Sequence, residues 1–367
     1  MTISPRRIIA ALWPVLSLVA ALAVIVALLA NASPAVVAYL VQGLVAAITV
    51  VGLYVFVGNS GVLSLGHAAF MGVGAYVGGI ASIPLVERAV LLPSLPGFAQ
   101  HHVLSLWPAA VLGAAVAGTI GYVIAIPVGR LAGLAAAIAT LAVLQIAQDV
   151  MNNWGVLSSD GGTTAGVPVD STAWGTWLAL AIVIAIAYLY QRSRWGIRLR
   201  ASREDLVAAR SVGINIVRER RFAFALSAAI VGFGGVFYVH SVGTLTGPDY
   251  YFATSFSMLA MLVVGGINSL AGAITGAVVL TTVTDAIARL QNGQGLGPLH
   301  LTLPNGVSAA CVAIALILIL ILRPAGLTGG REVQMPRRWR APGVGDGLGS
   351  GTQEPDGQTP EQADVLA

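Results

Sequence analysis

Long apolar stretches separated by short polar segments make up most of this chain. A helix of about 20 apolar residues crosses the hydrocarbon core of a bilayer, so such stretches are candidates for membrane-embedded segments. The pattern predicts an all-α polytopic membrane protein with about 8–10 transmembrane or re-entrant helical segments. The stretches are Ile8–Ala30, Ala35–Val57, Leu63–Ile83, Leu106–Val128, Leu131–Val150, Trp174–Tyr190, Phe222–Val242, Phe252–Ala286 and Val307–Leu322.

The first stretch follows Arg6 and Arg7 and has two interpretations. A secretory signal peptide would also begin with basic residues, but its apolar region is normally only about 7–15 residues long. Ile8–Ala30 exceeds that length, so we expect a retained membrane helix within an N-terminal segment 1–34.

The distribution of arginine predicts the orientation. With Arg6 and Arg7 on the cytoplasmic side, six crossings place Arg130 and the loop Gln191–Arg221 on that side as well. This arrangement satisfies the positive-inside rule. Phe252–Ala286 must then cross an even number of times for the arginines after the last stretch to be cytoplasmic. Both termini are therefore predicted to be cytoplasmic.

Two of the stretches are interrupted by glycine. Gly58–Gly79 is rich in glycine and small residues, and Phe252–Ala286 is broken in its middle by Gly265 and Gly266. Small residues allow close helix packing in a membrane, but discontinuous helices also line transport pathways. Both interpretations stay open. The candidate pathway residues are Ser64, Gly66, His67, Phe70, Gly74, Tyr76, Thr140, Gly265 and Gly266.

His67 is a histidine within an apolar stretch, close in sequence to other polar groups. A hydrogen-bonded packing residue is the more common explanation for a single intramembrane histidine, with a proton carrier as the alternative. His101, His102 and His300 lack cysteine or carboxylate partners at ligand spacing, so we expect no metal site. No pairing of a nucleophile with a base stands out, and we expect no catalytic residues.

The loop Gln191–Arg221 is a polar island that holds 9 of the 19 basic residues. It could simply anchor the chain to anionic lipid headgroups. Its pattern also predicts a short helix in which Ser202 is the N-cap, Glu204 and Asp205 occupy the first turn and Gly213 ends the helix. Such a helix would suit insertion into the groove of a partner protein.

Composition excludes several functions. The chain is 57% hydrophobic and 9% charged, and all 19 of its Lys+Arg residues are arginine. A phosphate-binding Walker A loop requires a lysine, so any ATP that drives this protein must bind to another polypeptide. The basic residues flank predicted membrane segments, so the net charge of +4 does not indicate nucleic-acid binding.

Six segments follow one another along the chain: Ser64–Gly79 (SLGHAAFMGVGAYVGG), Ala139–Pro168, Arg194–Asn215, Ala223–Val239, Leu262–Ala277 (LVVGGINSLAGAITGA) and Arg323–Leu327 (RPAGL). In their order and spacing they resemble the LivM-type permeases of branched-chain amino acid ABC importers. The similarity covers roughly residues 35–327.

The resemblance implies a permease subunit in a bacterial plasma (inner) membrane. Its partners would be a second, LivH-type permease, two cytoplasmic ATPase subunits and a periplasmic or lipid-anchored solute-binding protein. The family's ATPase-docking loop matches Glu204, Ala208, Ala209 and Gly213, and we include Arg200 and Arg203 with it. The chain itself would carry no cofactor, because the partners bind ATP.

The implied substrate is a branched-chain amino acid, with urea or a short amide as the alternative. A proton-coupled secondary transporter or a passive channel, acting without an ATPase, is the competing function. The proton-coupled transporter would need essential carboxylates within the membrane, and no carboxylate lies deep within a predicted span. Residues 35–327 would form the permease domain and residues 328–367 a disordered cytoplasmic tail, because that tail is almost without apolar side chains beyond Pro342.

Overall fold

The computed structural model describes residues 5–93, 95, 102–154 and 163–291, and also 310, 313–314, 317, 321–323 and 326–329. Twelve α-helices occur within these residues, which confirms the all-α class. They are α1 (Pro5–Leu29), α2 (Pro34–Ser60), α3 (His67–Ser82), α4 (Leu85–Leu91), α5 (Leu106–Val128), α6 (Gly133–Asn153), α7 (Ala173–Arg192), α8 (Arg194–Glu204), α9 (Leu206–Ser211), α10 (Ile216–Val242), α11 (Phe252–Gly265) and α12 (Leu270–Gln291).

Two three-residue strands and one 3-10 turn complete the described secondary structure. Strand β1 (Thr163–Ala165) pairs antiparallel with β2 (Thr244–Thr246), and Thr164 lies opposite Leu245. The turn Gly247–Tyr250 follows β2 directly and leads into α11. The small sheet therefore joins the segment before α7 to the segment after α10.

The start of α1, up to Trp13, belongs to a unit of which no other part is described. The other unit, Pro14–Val333, contains the remaining described elements. The predicted disordered tail and most of the predicted stretch Val307–Leu322 lie outside the described residues.

Six helices within the described residues are long and apolar enough to cross a membrane. They are α2, α5, α6, α7, α10 and the part of α12 from Leu270 to Ile287. The side of the membrane that each loop faces, and hence the cytoplasmic placement of both termini, stays a prediction.

Two further apolar helices are too short to cross alone. Helix α3 has 16 residues and α11 has 14, which correspond to about 24 Å and about 21 Å at 1.5 Å per residue. Each is joined to a longer helix through a non-helical break, at 61–66 between α2 and α3 and at 266–269 between α11 and α12. The two glycine-interrupted stretches are therefore discontinuous helices, one of the two interpretations that the sequence left open.

Glycine makes both breaks geometrically possible. Gly61, which follows the last residue of α2, has a φ of 68°, and Gly266, which follows α11, has a φ of 122°. Residues with a side chain rarely adopt such positive φ values, because the Cβ atom collides with the backbone. The chain can thus reverse or bend sharply at these two points.

Helix α10 is the centre of the bundle, since it packs against α2, α3 and α5. At one crossing its backbone touches that of α3: a Cβ atom on Gly74 would overlap the carbonyl oxygen of Gly232. One turn away, a Cβ atom on Gly235 would overlap the carbonyl oxygen of Met71. Gly113 of α5 closes the same crossing, because a Cβ there would lie 2.9 Å from the carbonyl oxygen of Gly74.

One helix boundary differs from the sequence-based expectation. The predicted apolar stretch begins at Phe222, but α10 begins at Ile216 inside the polar island. Asn215 caps this helix, since its side-chain oxygen accepts a hydrogen bond of 3.1 Å from the backbone N–H of Arg218. Hydropathy alone cannot locate a helix start that depends on a capping side chain within a charged segment.

The glycine crossing generates a stability prediction. Replacing Gly74 with alanine forces α3 away from α10, and overpacking of this kind typically costs about 1–3 kcal/mol. Gly43→Ala in α2 is the matched control, because a Cβ atom at Gly43 meets only a methyl group of Thr281 at an ordinary 3.6 Å. We expect Gly74→Ala to lower the thermal unfolding midpoint of the purified protein and Gly43→Ala to leave it equal or higher. Equal midpoints for the two variants would contradict the packing account.

Candidate functional site

The polar island Gln191–Arg221 folds into two consecutive short helices, α8 and α9, followed by the start of α10. Ser193 caps α8, with its hydroxyl oxygen 3.3 Å from the backbone N–H of Gly196. Asp205 caps α9, and one of its carboxylate oxygens accepts hydrogen bonds of 2.8 and 3.0 Å from the N–H groups of Val207 and Ala208. The loop is therefore an ordered structure.

The predicted cap at Ser202 is wrong. Ser202 is buried inside α8, and its hydroxyl donates to the carbonyl oxygen of Leu199 at 2.7 Å. The cap belongs to Asp205, three residues later, and Glu204 is the last residue of α8. Ser202 and Asp205 are both residue types that cap helices. The fold buries Ser202 and leaves Asp205 exposed, and this difference decides which of them is the cap.

Gly213 ends the second helix in the manner that the sequence predicts. Its φ is 82°, and its N–H donates to the carbonyl oxygen of Arg210 at 3.0 Å. A left-handed glycine just after a helix is a common C-terminal arrangement. The chain then turns back towards α10.

The outer surface of α9 is apolar and exposed. Val207 is 79% exposed and Val212 is 75% exposed, whereas the neighbouring Ala209 is buried and anchors the helix to the bundle. Ala208 and Glu204 are also exposed. We call the exposed set Glu204, Leu206, Val207, Ala208 and Val212 the loop tip. Exposed apolar side chains of this kind mark a surface for a protein partner or a membrane.

Arg200 and Arg203 point towards the bundle instead. Arg200 donates to the carbonyl oxygen of Gln191 at 2.6 Å, which ties α8 to the end of α7. Arg203 donates to the carbonyl oxygen of Gly58 at 2.8 Å and to Oδ1 of Asn268 at 2.7 Å. One side chain of the loop therefore reaches both discontinuous helices.

His67 lies at the start of α3 and is fully surrounded. Its Nδ1 atom is 2.8 Å from the hydroxyl of Ser64, and its Nε2 atom is 2.8 Å from the hydroxyl of Ser227 in α10. The rings of Phe56, Phe70 and Phe224 pack around it, with centroids 5.1–6.0 Å from the imidazole. Three helices thus meet at this imidazole.

The hydrogen bonds assign the tautomer of His67. The hydroxyl of Ser227 donates to the carbonyl oxygen of Gly52 at 2.6 Å, so its oxygen must accept the proton of Nε2–H. Nδ1 then accepts the hydrogen bond from Ser64. The hydrogen bonds therefore all point the same way: Ser64 donates to the neutral imidazole, the imidazole donates to Ser227, and Ser227 donates to the carbonyl oxygen of Gly52. This arrangement favours the packing interpretation of His67 over the proton carrier.

The first break is closed from the side by α6. The hydroxyl of Thr140 accepts from the backbone N–H of Leu65 at 3.1 Å and donates to the carbonyl oxygen of Ala137 at 2.9 Å. A Cβ atom on Gly66 would overlap the carbonyl oxygen of Thr140. Thr140 and Gly66 therefore hold the break against α6.

The other candidate pathway residues are also buried between helices. Tyr76 packs against Tyr250, with ring centroids 6.1 Å apart. Gly265 contacts α12, and a Cβ atom there would overlap the carbonyl oxygen of Gly272. Their assignment to a pathway stays a prediction. The buried members are Ser64, Gly66, His67, Phe70, Gly74, Tyr76, Thr140, Gly265 and Gly266.

A cavity of about 610 Å³ lies beside the two breaks. Its wall comprises the end of α2 and the first break, α8, the start of α10 and the second break. We call it the basic cavity. Its polar lining residues are Ser60, Ser202, Arg203, Arg220 and Asn268.

Sequence reasoning missed three residues of this region. Ser227 bonds to His67, Asn268 bonds to Arg203, and Arg220 lines the basic cavity. Each of the three looks ordinary in the sequence. A single serine in an apolar helix is common, and Arg220 is one of several arginines in the island. Among the described residues no three His, Cys, Asp or Glu side chains gather into a group that could hold a metal ion.

Comparison with known families gives one match over most of the chain. Residues 35–322 match the family described as branched-chain amino acid transport system / permease component. No solved structure matches.

Curated relatives agree with this match. The chain is 26% identical over 310 residues to the high-affinity branched-chain amino acid transport system permease protein LivM of Salmonella typhimurium and to that of Escherichia coli. Each alignment covers 75% of this chain and 66% of the relative, which is just under two thirds of the relative's length.

Shorter regions resemble other permeases. Over 183 residues the chain is 32% identical to the permease protein LivH of Salmonella typhimurium, covering 49% of this chain and 54% of that protein. Over 171 residues it is 25% identical to the autoinducer 2 import system permease protein LsrC of Yersinia pseudotuberculosis, covering 42% and 48%. The relatives are thus all permease proteins, with different named substrates.

The directional hydrogen-bond chain at His67 predicts the effect of one hydroxyl. Ser227→Ala leaves Nε2–H and the carbonyl oxygen of Gly52 without that partner, and a buried unsatisfied polar group costs about 1–3 kcal/mol. Ser241→Ala in the same helix is the control, since that hydroxyl bonds only to Tyr238 one turn away and is half-buried. We expect a clear drop in the thermal unfolding midpoint for Ser227→Ala and none for Ser241→Ala. A comparable drop in both variants would contradict the hydrogen-bonding role assigned to the Ser227 hydroxyl.

Proposed function

This chain belongs to the family of branched-chain amino acid transport system permease components, and we propose that it is the permease subunit of an importer driven by ATP. The six long apolar helices among the described residues, together with the family, make it a multi-pass protein of the bacterial inner membrane. In our proposal ATP binds to partner subunits, because this chain has no lysine and therefore no Walker A loop.

One observation supports coupling to a partner more than any other. The loop tip is exposed and apolar, while Arg203 on the same loop is bonded to both discontinuous helices. A movement imposed on α9 from outside the chain would therefore be felt at the two breaks. Lids and gates that respond to ATP work through a mechanical connection of this kind between packed elements.

The proposed partners follow from the family resemblance. We propose two cytoplasmic ATPase subunits docked at the loop tip, a second LivH-type permease beside this chain, and a periplasmic or lipid-anchored solute-binding protein. The exposed valines of the loop tip, Val207 and Val212, suit an apolar groove on an ATPase subunit, since helices bind partner grooves through such side chains.

The proposed substrate is a branched-chain amino acid. The LivM relatives, whose names give that substrate, match 75% of this chain, whereas the LsrC relative, named for autoinducer 2, matches 42%. A small polar solute such as urea or a short amide is the alternative. The candidate pathway would run between the two breaks, where His67, Thr140 and Gly265 lie.

Uptake measurements test this proposal. We expect proteoliposomes that contain the complete transporter, including its proposed ATPase subunits, to accumulate radiolabelled leucine only when ATP and the solute-binding protein are supplied. Dissipating the proton gradient should not change the rate. Uptake without ATP that collapses with the proton gradient would identify a secondary transporter instead.

Two substitutions in the loop test ATPase docking. Proline cannot adopt the φ of 82° at Gly213 and lacks the N–H that bonds to Arg210, so Gly213→Pro should deform the loop tip. Glu204→Arg reverses an exposed charge there. We expect both variants to lose ATPase co-purification and uptake at normal membrane expression. Asp149→Asn, at an exposed site on α6, is the control and should retain both properties. Normal uptake in the Gly213→Pro and Glu204→Arg variants would contradict docking at the loop tip.

Arg203 should separate docking from transport. Arg203→Gln removes the bonds to Gly58 and Asn268 but leaves the loop tip unchanged, so the ATPase should still co-purify and hydrolyse ATP. We expect uptake per ATP hydrolysed to fall at least about tenfold, as for the loss of a charge-assisted hydrogen bond. Arg192→Gln, whose guanidinium lies over the ring of Tyr188, is the matched control. Unchanged uptake per ATP in Arg203→Gln would show that the contact carries no coupling.

A further inference from the structure

We propose that the basic cavity binds the carboxylate group of the transported amino acid as it leaves the membrane domain. The inference rests on the proposed function, because it assigns a chemical class of ligand to a site on the same transport route. The cavity lies beside both breaks and beside the loop that carries Arg203. A solute released between the breaks on the loop side would enter it.

The first argument is charge. Arg203 and Arg220 both line the cavity, and no acidic residue belongs to the described lining. Among the described residues the only ion pair joins Arg198 to Glu219 at 3.7 Å, so neither cavity arginine has a carboxylate partner there. Arg210 lies close enough to Arg220 to add to the positive potential. The lining therefore attracts an anion.

The second argument is a buried charge without a counterion. Arg220 is only 8% exposed, and one of its terminal nitrogens donates to the carbonyl oxygen of Leu131 at 2.9 Å. No carboxylate pairs with this guanidinium among the described residues. A buried charge without a counterion is unfavourable, and an oxyanion in the cavity would offset that cost. Guanidinium groups are well suited to carboxylates, because their planar donors match two oxygens.

The third argument is the shape of the apolar wall. Next to the arginines the cavity is lined by the aliphatic side chains of Val57, Val62, Leu63, Val263 and Ile267. A volume of about 610 Å³ is in the range of small-molecule sites. A ligand with an anionic head and a branched aliphatic tail matches both parts of the wall. Urea and short amides have neither part, so the cavity also favours an amino acid as the substrate.

A lipid phosphate is another source of an oxyanion at a membrane surface. It would satisfy the guanidinium of Arg220 by the same chemistry, but it would not require an aliphatic amino-acid side chain. The experiment must therefore vary the carboxylate and the lipid separately.

Binding to the purified complete transporter in nanodiscs tests the site without any transport step. The probes are leucine, isovalerate, which keeps the carboxylate and the branched tail, and leucinamide, which lacks the carboxylate. A ligand that binds the folded state raises the unfolding temperature in proportion to its occupancy. We expect leucine and isovalerate to stabilise the transporter and leucinamide to require at least about tenfold higher concentrations. Equal potency of leucine and leucinamide would overturn the proposal.

Variants locate the binding. Arg220→Gln should weaken the leucine and isovalerate effects at least about tenfold, because it removes the positive charge from the cavity wall. Arg289→Gln is the matched control, since that arginine stacks on Tyr39 outside the cavity at 4.3 Å and should change the effect less than about twofold. If both variants weaken binding equally, the site is not the basic cavity.

Lipid composition distinguishes the two oxyanion sources. The leucine effect should be the same in phosphatidylcholine and in phosphatidylglycerol nanodiscs if the cavity serves the substrate. A stabilisation that follows phosphatidylglycerol and is lost in Arg220→Gln, with no difference between leucine and leucinamide, would assign the site to lipid and reject our proposal.

Thiol labelling supplies a readout that does not depend on a soluble ligand. Leu63 is 46% exposed and lines the cavity, so Leu63→Cys in a Cys311→Ala background gives one accessible thiol. We expect an anionic methanethiosulfonate to react faster than a cationic one, and Arg220→Gln to reduce that ratio. If the ratio of the anionic to the cationic reaction rate is no higher than the ratio for free cysteine, the cavity does not have a positive potential.

These outcomes are separable from the proposed function. If the transporter accumulates leucine with ATP but binding ignores the carboxylate, only the cavity assignment fails. If isovalerate binds through Arg220 while no leucine uptake occurs, the site stands and the proposed substrate fails.

Discussion

Backbone groups that the helix breaks leave without an intrahelical partner constrain this structure more than any other feature. A backbone group buried away from water needs a hydrogen-bond partner from elsewhere in the protein. Each partner found comes from outside the two interrupted helices and ties its own segment to a break. The bonds run from Leu65 N–H to Thr140, from Arg203 to the carbonyl of Gly58, from Leu327 N–H to the carbonyl of Val264, and from Thr328 to the carbonyl of Gly265.

This requirement gives the breaks a second property. A break that is held by bonds to other elements moves only when those elements move with it. Arg203 reaches both breaks from the loop after α7, and close backbone contact between Gly74 and Gly232 fixes α3 against α10. Packed contacts of this kind have discrete arrangements, so a displacement is passed on rather than absorbed. The same bonds that stabilise the breaks thereby offer a route for coupling.

Much of the fold is predictable from the sequence, because burial in a membrane leaves a strong hydropathy signal. Helix α5 has the predicted bounds, Leu106–Val128, and the break at Gly265 and Gly266 is where the glycines indicate it. The helix start at Ile216 and the cap at Asp205 were not predicted. Each of these two features depends on which polar side chain bonds to a nearby backbone N–H. Several residues that could do so lie within a few positions of each other, so the sequence alone does not identify the one that does.

The candidate site was less predictable, for a related reason. The charge pattern identified the loop, and Gly213 has the predicted conformation, but the direction of each side chain is a tertiary property. Arg203 was grouped with the residues that meet a partner, yet its bonds run inwards. Ser227 and Asn268 gave no signal, because their roles depend on His67 and Arg203, which are distant in the sequence.

The arginines of the island therefore fall into two groups. The side chains of one group point into the bundle, and those of the other are exposed. Exposed members such as Arg210 and Arg218 carry the charge that orients a membrane protein. Arg200 and Arg203 instead satisfy carbonyl oxygens at helix ends, and Arg220 places a buried guanidinium in a cavity wall. Lysine could supply the orienting charge equally well, but a single ammonium lacks the planar, forked donors with which Arg203 spans two helices. The exclusive use of arginine matches the geometry that the inward-facing positions demand.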